Sequence, residues 1–524
     1  MVLQEPGEGV AFATIDGREG PAVVAHGDAG YKARSIGAGE NHPTARAEDA
    51  GCHTRPVLDP LVAAPATELA GRLAAGEISA VEVVTAHLDR IDAVDGVINA
   101  IPVRRERDAV LADAAQLDAL AEPAGPLHGL PVAVKDLENV AGLPTSSGST
   151  LTSTRPVAED GVVAARLRAA GAVIIGKTNT PEFGAGSHTF NPVHGLTRNP
   201  WNTGRSAGGS SGGAAAALAA RMVPIADGSD LGGSLRNPAA FNNVVGLRPS
   251  IGRVPVVDGI SHRLVRLAVQ GPMGRTVADT ALVMSALAGP DPRDPFSWDD
   301  DPAGFGRPLP TTTSASVAWI GDVGGAFASD EAPMTLARSA AARIEDAGGS
   351  FEERVVELPG AERIFRVIRG LGFAQLGREV PAERHDQFKT TIRDNIAFGE
   401  SLTLADITEV EELRARLHRD LQRLFREVDV LALPTTQVLP FPADQEYPTE
   451  VAGQPMADYL SWMMSCCVVT STECPAISIP AGFSADGLPA GLQLVAAPGA
   501  DRQLLEVAAA IEAAQPHHQR VPDC

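Results

Sequence analysis

Apolar residues recur along the chain in two rhythms. Ser79-Ala80-Val81-Glu82 carries the Ser-x-x-Glu spacing in which each side chain satisfies the other's backbone N–H, and Val84, Leu88 and Ile91 follow on one helical face. An amphipathic helix is predicted there. From about residue 125 the pattern changes to short β-branched runs, Leu130 to Val134 and Val173 to Ile175, separated by helical stretches such as Val162 to Ala170. Near the end, Val428 to Leu433, Ala476 to Pro480 and Leu492 to Val495 read as further strands, and Leu504 to Ala513 as a closing helix. Strands alternating with helices imply an α/β protein with a largely internal sheet.

Three regions depart from this alternation. Residues 1–59 keep neither period and are expected to form a loosely ordered extension. Residues of about 285–425 are more polar, with helical stretches around Met334 to Ala347 and Glu411 to Phe425, and read as a helical peripheral layer on a single domain spanning 60–515. Residues 516–524 are a polar tail. Between Ser206 and Gly252 the chain turns rich in glycine, serine and alanine, a composition that lets backbone amides approach a ligand closely.

Composition narrows the function classes. With 524 residues, 44% hydrophobic and 21% charged, the chain can bury a substantial core. A net charge of −22 opposes a polyanion, so nucleic acid is not an expected partner. No apolar run approaches the roughly 18 residues of a membrane span, and the start Met1 to Pro6 lacks the basic and apolar segments of a secretory signal, so a cytoplasmic protein away from membranes is expected. Five cysteines form neither a disulfide framework nor a zinc spacing, and the 12 histidines, His188 and His262 among them, are scattered. Neither metal nor other cofactor is expected. Only four lysines occur, Lys32, Lys135, Lys177 and Lys389, among 43 basic residues. Unlike arginine, a buried lysine can lose its proton, so a lysine in an apolar setting draws attention.

Two motifs mislead. Gly171 to Thr178 matches the Gly-x4-Gly-Lys-Thr phosphate loop, but its Val-Ile-Ile interior favours a strand and Pro181 stands where a long helix should be under way. Gly208-Gly209-Ser210-Ser211-Gly212 matches the Gly-x-Ser-x-Gly elbow of α/β-hydrolase esterases. That reading needs a later catalytic histidine, and only His517 and His518, in the tail, follow His418. Capping of the helix ahead of Ala214 to Ala220 would explain one serine, but not four flanking glycines.

A different combination carries chemistry. Pro131 to Asp136 places Lys135 at the end of an apolar strand. To serve as a base near neutrality its pKa must fall by about three units, roughly 4 to 5 kcal/mol, which burial can supply. The alternative is an ion pair with a neighbouring carboxylate. In Asp230-Leu231-Gly232-Gly233-Ser234-Leu235-Arg236 a serine follows two glycines, so its hydroxyl can meet a carbonyl while the N–H groups of Leu231, Gly232, Gly233 and Ser234 face the developing oxyanion. A tight turn is the plainer reading of Gly232-Gly233. Asp230 and Arg236 read as braces of that loop.

The run from Gly204 to Pro255, with Gly208 to Gly213, Gly228 to Arg236 and Gly246-Leu247-Arg248-Pro249, resembles the amidase signature family. Gly125 to Pro131, Gly176 to Asn179, Gly271-Pro272-Met273 and Gly487-Leu488-Pro489 extend the resemblance over roughly residues 60–510. It implies that family's fold, a large mixed central β-sheet covered by helices on both faces. It further implies a Ser-cisSer-Lys triad of Ser234 as nucleophile, Ser210 as bridging serine and Lys135 as base, at spacings of 75 and 24 residues, with the Gly184 carbonyl facing the substrate. Ser229 stands where threonine is usual, Arg248 where lysine is common, and Asp227 adds a charge near the loop. The implied activity is hydrolysis of a C–N bond in small amides, with anilides and carbamates as members, through a seryl acyl-enzyme. The alternative within the family is the glutamine-hydrolysing subunit of a tRNA-dependent amidotransferase. A small-molecule amide is thus the expected partner, and a homodimer is admitted.

Overall fold

A computed structural model describes residues 58–257 and 266–523. The 1–59 extension lies almost wholly outside the described residues, as do His262, Lys32, Cys52 and Cys524. Among the described residues, eleven strands make one sheet: β1 (Val103–Arg104), β2 (Pro131–Lys135), β3 (Val173–Thr178), β4 (Ile225–Asp230), β5 (Val245–Arg248), β6 (Val269–Gly274), β7 (Ser316–Trp319), β8 (Ser350–Glu353), β9 (Val430–Pro434), β10 (Ala476–Phe483) and β11 (Pro489–Ala496). Their spatial order is β1-β3-β2-β4-β6-β5-β10-β11-β9-β7-β8. Pairing is parallel for β3·β2·β4 and for β9·β7·β8, and antiparallel elsewhere. The sheet is therefore mixed, as expected. Every residue of β2, β3, β5 and β9 is buried, the pattern of strands covered on both faces.

The predicted helix at Ser79 is α1 (Ala80–Ile98). Ser79 Oγ accepts the Glu82 N–H at 3.2 Å and the Glu82 carboxylate accepts the Ser79 N–H at 2.8 Å, while Asn99 ends the helix in the left-handed region. Five further helices matter below: α2 (Val162–Ala169), α3 (Gly212–Ala219), α4 (Arg236–Asn242), α5 (Ala361–Glu379) and α6 (Met464–Ser471). The closing helix spans Asp501–Ala514.

One difference from the sequence reading has a physical reason. Residues 285–425 hold long helices but also supply β7 and β8. β8 is an edge strand whose residues are mostly exposed, so it lacks the apolar run that marks an internal strand. In the polar tail, Arg221 Nη2 donates to the His518 carbonyl at 3.0 Å and Asn243 Nδ2 to that of His517 at 2.9 Å. Among the described residues no helix is long and apolar enough to cross a membrane.

Candidate active site

Lys135 closes β2, held between β3 and β4, and is 1% exposed. Its Nζ donates to three hydroxyls, Ser210 Oγ at 2.7 Å, Ser211 Oγ at 2.8 Å and Ser229 Oγ at 3.0 Å. Among the described residues no carboxylate forms an ion pair with it. Burial drives its pKa down to about 7, against the opposing pull of Asp227, Asp230 and Glu138. Sequence reasoning missed Ser211 and Ser229 as lysine partners. Ser211 was legible only as a helix cap, and it does stand at the N-cap of α3, but its side chain makes no capping bond.

Asp227, two residues before Ser229 on β4, is fully buried and accepts the Lys135 backbone N–H at 3.0 Å through Oδ1. Among the described residues its Oδ2 has no partner. Burial pushes its carboxyl up to about 6 despite that hydrogen bond and the nearby lysines.

Ser210 follows a cis peptide bond from Gly209. The loop is pinned by its carbonyls: Thr189 Oγ1 donates to that of Gly208 at 2.8 Å and Ser187 Oγ to that of Gly209 at 2.7 Å. Gly208 has φ +71° and lies against Pro238 of α4, where a Cβ would approach to 2.9 Å.

The third segment begins where β4 ends. Asp230 receives Arg236 in a fork, Nη2 to Oδ1 at 2.8 Å and Nε to Oδ2 at 3.0 Å, and Arg248 lies 3.6 Å away. Burial opposes charge here, yet Arg236 and Arg248 hold this carboxyl well below the usual carboxylate range. Asp230 also accepts the N–H groups of Gly233 at 2.9 Å and Leu235 at 3.1 Å. This corrects the expectation for Gly233: its amide is taken by Asp230 and does not face a ligand. With φ +98°, Gly233 turns its N–H back toward the strand end. The amides of Leu231, Gly232 and Ser234 have no partner among the described residues. The braces foreseen in Asp230 and Arg236 are thus real contacts, extended by Arg236 Nη2 to Thr470 Oγ1 at 2.8 Å.

Ser210 and Ser234 line one cavity of about 200 Å³, together with Gly184, Ser229, Leu231 and Gly232. The two serine loops are joined by the Ser211 N–H donating to the Ser234 carbonyl at 3.1 Å. The Ser234 hydroxyl has no hydrogen-bond partner among the described residues. Gly184 has φ +67°, and a Cβ there would stand 3.4 Å from Ser210 Oγ. The remaining wall is largely apolar, from Leu137, Phe183, Phe373 and Met463, with Arg369. None of these was assigned from sequence. The Gly171–Thr178 motif instead contains the whole of β3, with Lys177 paired to Asp136 at 2.7 Å, and neither His517 nor His518 lines the cavity.

Comparison with known proteins finds relatives along most of the chain. The Amidase family model matches residues 82–505. An acylamidase from Rhodococcus erythropolis is 36% identical over 466 residues, covering 87% of this chain and 96% of that protein. A glutamyl-tRNA(Gln) amidotransferase subunit from Nocardia farcinica is also 36% identical, covering 87% of this chain and 99% of that one. Among solved structures, a bacterial aryl acylamidase of the amidase signature family superposes with TM-score 0.78 at 28% identity, covering 89% of this chain and 99% of that one. A 6-aminohexanoate cyclic dimer hydrolase gives 0.76 at 29% identity, covering 88% and 99%. The chain belongs to the amidase signature family and is a hydrolase of amide C–N bonds.

Proposed function

We propose that Ser234 is the nucleophile, Ser210 the bridging serine and Lys135 the base of an amidase acting on small amides such as anilides, as a single domain over residues 60–515. The observation that carries this reading is a fully buried lysine bonded to three hydroxyls and no carboxylate, beside a cavity that holds a free serine hydroxyl. Neutral Lys135 takes the Ser210 proton as Ser210 takes that of Ser234, and Ser234 Oγ attacks the amide carbon. The amides of Leu231, Gly232 and Ser234 receive the oxyanion, three donors rather than four because Gly233 is engaged by Asp230. As the intermediate collapses the C–N bond breaks, and the leaving nitrogen takes the proton back from Lys135 through Ser210. Water then repeats the attack on the acyl-enzyme, which releases the acid and restores Ser234.

Two measurements test this. Wild type should release the amine from a panel of 4-nitroanilides, and Ser234→Ala should not; turnover retained by that variant would refute the nucleophile. Likeness to glutamyl-tRNA(Gln) amidotransferase chains favours a second reading, ammonia release from glutamine within a larger assembly. Under that reading the purified chain would leave anilides untouched and copurify with a partner. The apolar wall of Leu137, Phe183, Phe373 and Met463 favours the first.

A further inference from the structure

The cavity wall contains a cation that the reaction scheme leaves unused. Arg369 lies on α5 one helical turn after Phe365, whose ring stands where a Cβ on Gly232 would meet it at 2.8 Å. It lines the same cavity as Ser234 and is 6% exposed. Its Nη2 donates to the Tyr459 hydroxyl, and its guanidinium lies 4.4 Å from the Phe373 ring centroid. Among the described residues its Nε has no partner. Among the described residues it pairs with no carboxylate. The one carboxylate on the cavity wall, Asp230, is already filled by Arg236 and two backbone amides.

A buried guanidinium without a counter-ion is costly, and an aromatic face returns only part of that cost. We propose that Arg369 is the receptor for a carboxylate on the substrate, so that the amides this enzyme prefers carry a carboxylate a few bonds from the scissile C–N bond. The planar fork of arginine matches a carboxylate, and Leu137, Phe183, Phe373 and Met463 suit the hydrocarbon between the two groups. This inference rests on the assignment of Ser234 as nucleophile.

The test uses three matched acyl 4-nitroanilides, 4-carboxybutanoyl, 5-oxohexanoyl and hexanoyl, and a second series with the carboxylate on the ring. The readout is the ratio of kcat/KM for the carboxylated member over its neutral partners. In at least one series that ratio should fall by about 10- to 100-fold in Arg369→Gln, the loss of a hydrogen bond to a charged group, and be partly restored in Arg369→Lys. A ratio that does not move in either series overturns the proposal. So does an equal loss for the ketone, which would make Arg369 a receptor for neutral acceptors. Titration of glutarate into Ser234→Ala by calorimetry keeps the question apart from catalysis, with Arg369→Gln/Ser234→Ala as its partner and thermal melts checking the fold. Tight binding lost on changing Arg369 upholds the proposal even if no anilide is cleaved, whereas equal binding to both proteins, or to neither, defeats it.

Discussion

Two lysines stand on neighbouring parallel strands, one register step apart and so on opposite faces of the sheet: Lys177 of β3 lies beside Val134, and Lys135 of β2 beside Thr178. Both are buried, and burial lowers both pKa values. Around Lys177 the chain supplies a carboxylate, Asp136 at 2.7 Å, with Thr145 Oγ1 at 2.8 Å and the Pro144 carbonyl at 3.1 Å. Around Lys135 it supplies only the hydroxyls of Ser210, Ser211 and Ser229. The ion pair with Asp136 favours the charged form of Lys177 against its burial, whereas hydroxyls accept from the amine without demanding its charge. What distinguishes the two lysines is the partner set, since both side chains are buried.

Removing each amine should therefore have opposite consequences. Lys135→Met is expected to lower kcat/KM by about 10²- to 10⁴-fold, the span of a lost general base, while raising Tm. The rise follows from linkage. The folded pKa of about 7 lies below the ordinary 10.5, so the unfolded chain binds more protons between these values. Lys135 thus burdens the fold most below pH 7, and the burden fades as pH climbs toward 10.5. A Lys135→Met protein melting lower than wild type would contradict this. Lys177→Met takes the lysine from buried Asp136, leaving it Ser146 and His194, and should cost about 3 kcal/mol in denaturant unfolding. A loss within error would remove the contrast between the two sites.

Smaller effects sharpen the comparison. With Lys135 as base, kcat/KM should fall as pH drops through about 7, because protonated amine cannot accept the serine proton. A profile flat from pH 6 to 8 would argue against it. Asp227 raises the lysine's pKa, so Asp227→Asn should move that acid limb to lower pH, the smallest change predicted. A shift upward, measured on the same substrate, would show that Asp227 acts otherwise.

Much of this contrast is legible in the amino-acid sequence. An apolar strand ending in lysine, and serines flanked by glycines, are local signals, because strand period and backbone freedom depend on near neighbours. The strands at Val173 and Ala476 and the helix at Ser79 are legible for the same reason. Which hydroxyls surround Lys135 is not, since Ser211 and Ser229 meet it only through strand pairing and a loop crossing. Nor is the turn of the Gly233 amide toward Asp230, which depends on one positive φ. Phe365, Arg369 and Phe373 recur at helical spacing, but nothing in that spacing says that their face meets Gly232 rather than solvent.

The internal place of β2 has a further consequence. Strands with neighbours on both sides and cover above and below exchange their amide hydrogens only when large parts of a protein open together. Fraying at the rim, where β8 sits, cannot admit water to Lys135. Warming should therefore leave this amine shielded from bulk water until the sheet itself comes apart, so that thermal inactivation and deuterium uptake at β2 begin at one temperature.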